Sequence, residues 1–257
     1  MGGVVGITTS KFLMVAATLC LPVRVDHAPM RGVIDARMPV SVISVDMARR
    51  LHMIDFGTKA AGLAVRASKR PVYISIGAEE YTVDHIAVSD TPFVAPGHCD
   101  RDVILGRDML ESHVFDIDFA KRRIKLVLPY ERDGLIRGFR PVRVIRNAQG
   151  EGEVDLRIGD AAPIRAPLDL GSDFSMTIGD SGARHRAADG AVPSSARDSA
   201  ATMTLAHISL DDVDLTGVTV TTLANSATAP SATLGLGLFD RLHIVLDLPH
   251  NLIWIKT

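Results

Sequence analysis

An internal repeat constrains this chain more than any other feature. Ile104-Leu105-Gly106 leads into Arg107 to Leu110, then Val114-Phe115-Asp116-Ile117-Asp118 and Ile124-Lys125-Leu126. Thr233-Leu234-Gly235 leads in the same order into Leu236 to Phe239, then Ile244-Val245-Leu246-Asp247 and Ile253-Trp254-Ile255. The glycines lie 235 − 106 = 129 positions apart and the aspartates 247 − 118 = 129, so this block aligns without a gap. Self-similarity of this length implies two halves of one architecture. In each copy the stretch after Gly suits a helical turn, and the two apolar runs suit a β-hairpin whose turn falls at Lys121-Arg122-Arg123 or Pro249-His250-Asn251.

A second block repeats earlier in each half. Gly32-Val33-Ile34-Asp35-Ala36-Arg37-Met38-Pro39-Val40-Ser41 corresponds to Ala166-Pro167-Leu168-Asp169-Leu170-Gly171-Ser172-Asp173-Phe174-Ser175. Here the offset is 169 − 35 = 134, five more than in the later block, a difference that belongs in loops. Alternating segments, Leu21 to Val25 and Val154 to Ile158, lead into the two aspartates as hairpins. Val72 to Ile76 with Tyr81 to Val83 predicts another hairpin, and Met203 to Leu205 with Val218 to Val220 matches it in the second half. Ser44 to Met53 predicts a short helix capped by Ser44. Glu131 to Gly138 is read as the connection between halves, and Gly182 to Ala201 as an exposed loop. The expected fold is all-β with short helices: two pseudo-symmetric β-barrel lobes, residues 1–130 and 131–257, around a central cleft. With 257 residues, 47% of them hydrophobic, the chain can bury a core in each half.

Charge and special residues remove several functions. Lys plus Arg number 28 against 30 Asp plus Glu, interleaved throughout, which leaves no basic excess for phosphate backbones and argues against nucleic acid. The two cysteines, Cys20 and Cys99, cannot form a zinc set; they are read as ordinary apolar thiols, with a bond between them in an oxidising compartment as the alternative. The apolar stretch Phe12 to Val23 is too short for a membrane span. It has the length of a signal core, but its poor flanks favour a strand, which makes the cytoplasm the expected compartment over periplasm or secretion. His98-Cys99-Asp100 reads as a loop, Gly179-Asp180-Ser181-Gly182 as a polar turn without the rest of a serine triad, and Gly235-Leu236-Gly237 as part of the repeat. Asp116, Asp118 and Asp247 read as solvent-facing strand residues. No metal and no cofactor are expected.

The repeated aspartates carry the chemistry. Two equivalent halves, each ending an apolar strand in a carboxylate, can bring Asp35 and Asp169 together across a pseudo-two-fold axis. Two close carboxyls share a proton, so that one accepts from water while the other donates to a carbonyl oxygen. On these residues the chain resembles the retropepsin-like and pepsin-like aspartic protease superfamily, as a bacterial-type, two-lobed tandem member. Ile34-Asp35-Ala36-Arg37 and Leu168-Asp169-Leu170-Gly171-Ser172 stand at the family's Asp-Thr/Ser-Gly element, and Ile104-Leu105-Gly106 and Thr233-Leu234-Gly235 at its hydrophobic-hydrophobic-Gly element.

The resemblance implies Asp35 and Asp169 as the catalytic pair, with Ala36, Arg37, Leu170, Gly171, Ser172, Gly106 and Gly235 forming the supporting loops. It implies a monomeric intramolecular pseudo-dimer acting on peptide or unfolded protein, and a Ser172 hydroxyl bonded to its carboxylate. Ala36 and Leu170 replace the family's hydroxyl residue, Arg37 replaces a glycine, and only Gly57 to Gly62 approximates a flap. Two functions therefore stand: an aspartic endopeptidase, or a pseudoprotease that binds peptide or protein without cutting. Arg37 decides between them. Pointing away it leaves the dyad free; filling the space between lobes it favours binding, and its charge would depress the carboxylate pKa values.

Overall fold

A computed structural model describes residues 10–15, 18–53, 66–77, 79–90, 101–172, 174–178, 192–194, 202–222 and 231–257. The segments Gly57 to Gly62, His98 to Asp100 and Gly179 to Gly182 lie outside the described residues. Of the stretch 182–201 only the strand Val192–Ser194 is described, and it pairs with the next strand rather than forming a loop.

A six-stranded antiparallel sheet joins the halves. Its order is Ser10–Lys11, Arg123–Val127, Val114–Asp118, His243–Asp247, Leu252–Lys256 and Arg140–Arg143. The order is a palindrome under the repeat. At the centre Phe115 pairs with Leu246, Asp116 with Val245, and Ile117 with Ile244. Since the 129-residue offset makes Phe115 equivalent to Ile244 and Ile117 to Leu246, this pairing maps onto itself and the pseudo-two-fold axis passes through Asp116 and Val245. The turns obey the same relation: Arg122 and Asn251, also 129 apart, both take a left-handed backbone, with φ 52° and 56°. Phe115, Ile117, Ile124, Leu126, Ile244, Leu246, Ile253 and Ile255 form the inner face and merge with one continuous core.

Each half then folds a sheet around its aspartate strand. In the second half the strand Gly152–Ile158 pairs with both Ile164–Asp169 and Thr202–Leu210, which closes the eight-stranded sheet into a barrel. In the first half the equivalents of the long hairpin Thr202–Leu210/Val213–Thr222 are interrupted. They appear as Arg66–Ala67 plus Val72–Ile76 and Glu79–Val83 plus Ala87–Ser89, so that barrel is only half formed. The expected two-lobed, mostly β architecture is therefore observed.

Local expectations hold with shifts that have physical causes. The helix after the first aspartate runs Val45–Arg50, and the Met47 amide donates to the Ser44 hydroxyl at 3.4 Å. The connection between halves is an ordered 3-10 turn, Pro129–Gly134, whose proline sits where helices tolerate it. The apolar N-terminal stretch forms the strands Leu13–Val15 and Thr18–Val25. Cys20 is disulfide-bonded, which corrects the free-thiol reading; its buried strand position carries no local sign of a partner distant in sequence. Asp247 is also corrected: it is fully buried, and Arg132 Nη1 lies 3.1 Å and His250 Nδ1 2.6 Å from its two oxygens. Among the described residues no helix is long and apolar enough to cross a membrane.

Gly106 and Gly235 are required by close approach. A Cβ on Gly235 would lie 2.0 Å from the Phe174 carbonyl oxygen, and one on Gly106 would lie 2.5 Å from the Val40 carbonyl. We expect Gly235→Ala to destabilise the chain by about 2 kcal/mol or more, the scale of an overpacked core site. Gly134→Ala, whose Cβ would meet nothing within 4 Å, should stay near wild type in the same urea-unfolding measurement.

Candidate active site

Both aspartate loops rest on the same construction. The strand Val103–Leu105 lies parallel to Ala28–Ile34, and Ala232–Gly235 lies parallel to Ile164–Asp169, so each glycine of the repeat adjoins an aspartate. In the first loop the Met38 amide donates to the Asp35 carbonyl at 3.1 Å, and the Arg107 amide donates to the Met38 carbonyl at 2.8 Å. In the second the Ser172 amide donates to the Asp169 carbonyl at 3.2 Å, and the Leu236 amide donates to the Ser172 carbonyl at 3.0 Å. Two loops with almost no residue in common are held by equivalent backbone bonds. The structure thus brings Asp35, Arg37, Asp169, Gly171 and Ser172 to one place, with Gly106 and Gly235 behind them.

Arg37 lies between the carboxylates. Its Nε and Nη2 reach Asp35 Oδ1 and Oδ2, each at 3.2 Å, and its own amide donates to Asp35 Oδ1 at 3.0 Å. Its Nη1 lies 2.7 Å from Asp169 Oδ2. The Arg37 side chain is half exposed, whereas those of Asp35 and Asp169 are 13% and 5% exposed, so the guanidinium covers the carboxylates from the solvent side. Ala36 and Leu170 are buried in the core, and neither offers a hydroxyl to the opposite loop.

The equivalent of Arg37 in the second half is Gly171, and it has to be small. A Cβ there would lie 2.8 Å from the Asp35 carboxyl carbon and from its Oδ2. The expected Ser172 hydroxyl bond is present, donating to Asp169 Oδ2 at 2.6 Å. The Asp169 carboxyl also takes the Gly171 backbone N–H, as Asp35 takes that of Arg37.

Burial raises the Asp169 pKa, and it outweighs the Ser172 hydrogen bond, the Arg37 charge and the Gly171 backbone hydrogen bond, all of which lower it; the Asp35 charge adds to the rise. The expected lowering by the Arg37 charge is present at Asp169, but desolvation is larger and the net direction is upward. Burial alone would lower Arg37, but its hydrogen bond to Asp35 and the charges of Asp35, Asp169 and Glu151 hold its pKa above the usual value.

Three contributors were not singled out from sequence. Glu151 adds a third negative charge near Arg37 from the loop that follows Asn147, where its amide donates to Asn147 Oδ1. Ser41, fully buried, receives the Gly106 amide on its hydroxyl at 3.0 Å and donates that hydroxyl to Asp108 Oδ1 at 2.8 Å. The position of Ser41 opposite Ser175 in the repeat was the available signal. Among the described residues no group of three or more His, Cys, Asp and Glu side chains could hold a metal ion.

The architecture matches known folds, although sequence comparison finds no relative. No family model matches the chain, and no curated protein matches it in sequence. In structure the chain is similar to an aspartic proteinase from Irpex lacteus, at 10% identity and TM-score 0.61, covering 97% of this chain and 96% of that one. It is also similar to basic 7S globulin from soybean, at 11% identity and TM-score 0.59, covering 97% and 94%. Conglutin gamma, a basic 7S globulin from lupine seeds, gives 10% identity and TM-score 0.60, covering 98% and 95%. At these identities the likeness is one of fold: the chain has the pepsin-like, bilobal β fold.

Because Arg37 lowers the Asp169 pKa, Arg37→Gln should raise it further, as read from the carboxyl 13C resonance across a pH titration. The sign for stability follows from linkage. A carboxyl raised in the folded state favours folding in its protonated form, so this contribution is present below the unfolded pKa and is lost as pH rises through the folded one. Arg37→Gln should therefore lose more stability than wild type between acidic and neutral pH, as measured by urea unfolding.

Proposed function

We propose that this chain is a non-hydrolytic pepsin-like module, a bacterial-type tandem member of two lobes divided near residue 130, that binds extended peptide or unfolded protein in its cleft. The observation that carries the reading is the Arg37 guanidinium, which contacts both candidate catalytic carboxylates. A water between two aspartates that share one proton needs the space and the lone pairs that Arg37 takes. The absence of a hydroxyl at Ala36 and Leu170 removes the loop-to-loop bonding that the resemblance implies for a working dyad.

Binding itself asks less of the site. Backbone pairing to an extended segment supplies affinity and side-chain pockets supply selectivity, neither of which requires a free dyad. The disulfide at Cys20 supports an oxidising compartment over the cytoplasm expected from the N-terminal sequence.

The second reading, an aspartic endopeptidase with Asp35 and Asp169 as its pair, is favoured by one observation: burial holds Asp169 toward its protonated form, as a shared-proton pair needs. The two separate in one experiment. The full chain is incubated with a mixed library of unfolded peptides from acidic to neutral pH, beside Asp35→Asn and Asp169→Asn, and products are read by mass spectrometry. We expect no cleavage that depends on both aspartates. Cleavage by the wild type that either substitution abolishes would establish the peptidase and make Arg37 a group that moves aside.

A further inference from the structure

We infer that the outer face of the six-stranded sheet is a docking surface for a membrane bearing anionic headgroups. The charges that interleave along the sequence are sorted here by strand pairing. Lys11 stands opposite Arg123, Arg123 opposite Asp118, Asp118 opposite His243, and His243 opposite Lys256; two residues along, Lys125 stands opposite Asp116. The turn adds Lys121 and Arg122, so the face carries six cations against two carboxylates. The net charge of -2 therefore divides into +4 on this face and -6 over the rest of the chain, a dipole that turns the face toward an anionic surface.

Both carboxylates are already engaged: Lys121 Nζ lies 2.7 Å from Asp118 Oδ2, and His243 Nε2 lies 2.5 Å from Asp116 Oδ1. Lys11, Arg122, Arg123 and Lys125 have no ion pair or side-chain hydrogen bond among the described residues. Like charges directly opposite weaken a strand pair, so setting Lys11 against Arg123 does not serve the fold. An apolar edge adjoins these cations. Leu128 and Tyr130, just past the end of the Arg123–Val127 strand, are 40% and 79% exposed. The linker that carries them lies on this same side of the sheet, since its Leu135, Ile136 and Phe139 pack on Val114, Val127 and Val245. Cations spread over neighbouring strands match an extended field of charge better than a single small anion. Basic side chains beside an exposed aliphatic and an exposed aromatic one supply the two signals, electrostatic and apolar, that stable peripheral binding takes. A tyrosine fits the interfacial layer because its ring is apolar and its hydroxyl polar. The opposite face of the sheet belongs to the core, so docking leaves Asp35 and Asp169 uncovered and is independent of the peptide-binding reading.

The test sediments the full chain with vesicles of phosphatidylcholine, alone or mixed with phosphatidylserine. We expect binding to the mixed vesicles only, weakening as salt rises. Lys11→Gln with Lys125→Gln should weaken it by about tenfold or more. Tyr130→Ser should weaken it by about threefold or more without changing its salt dependence. Arg157→Gln, which removes an exposed cation from the second lobe, should bind as wild type. Each variant is checked by circular dichroism, and Lys125→Gln alone carries the test if the double variant is unfolded. No binding to the mixed vesicles, equal binding to both kinds, or binding that survives the lysine substitutions would overturn the inference. Retention on heparin or duplex DNA without vesicle binding would overturn it too, and would make the face a site for a soluble polyanion.

Discussion

The pairing of Val114–Asp118 with His243–Asp247 is the constraint on which the rest depends. Neither half can complete its core alone, because the inner faces of these strands belong to a single apolar cluster that runs through the whole chain. Fixing this register fixes the axis, and the axis fixes where the two aspartate strands can end. From there each aspartate is placed by local parts: a parallel neighbour strand, a glycine that admits a close carbonyl, and the two backbone bonds that set the loop. The site is therefore positioned by long-range symmetry and shaped by short-range sterics.

Within that frame the two loops have diverged in opposite directions. One carries Arg37 where the other keeps Gly171, and each depends on the other. The glycine leaves room for the Asp35 carboxylate, and the arginine neutralises the carboxylates that the fold has pressed together. Two buried acids with no cation would have to hold protons, at a cost that burial already expresses in the raised Asp169 pKa. The arginine relieves this cost by setting one cation against both carboxylates. The fold is shared with the Irpex lacteus proteinase and with the soybean and lupine 7S globulins.

Much of this was legible in the sequence. The 129-residue offset gave the hairpin of each half, though not their pairing in one sheet, and the landmark glycines and aspartates gave the two loops, because close backbone approach and strand ends leave local residue signatures. Ser44 announced its helix for the same reason, and the Ser172 hydrogen bond was what the family resemblance implied. What stayed hidden depends on groups distant in the chain. Strand alternation placed Asp116, Asp118 and Asp247 on the outer face of the sheet, but the connection Pro129–Gly134 brings Arg132 to Asp247, and His250 joins it, so that residue is buried and paired. The reach of Arg37 to Asp169 spans both halves, and the net direction of the Asp169 pKa is set by burial, which no local pattern encodes.

At the axis itself Asp116 stands opposite Val245. Two identical subunits could not build this pair, since symmetry would put either two aspartates or two valines face to face, the first repulsive and the second without a polar edge. Joining the halves in one polypeptide frees every equivalent position to differ. His243 uses that freedom, approaching Asp116 through Nε2 at 2.5 Å across the seam. Arg37 uses it most fully: a symmetric assembly would supply one arginine for each aspartate and crowd two guanidiniums into a space where the opposite loop tolerates no side chain at all, whereas the covalent tandem lets a single cation serve both.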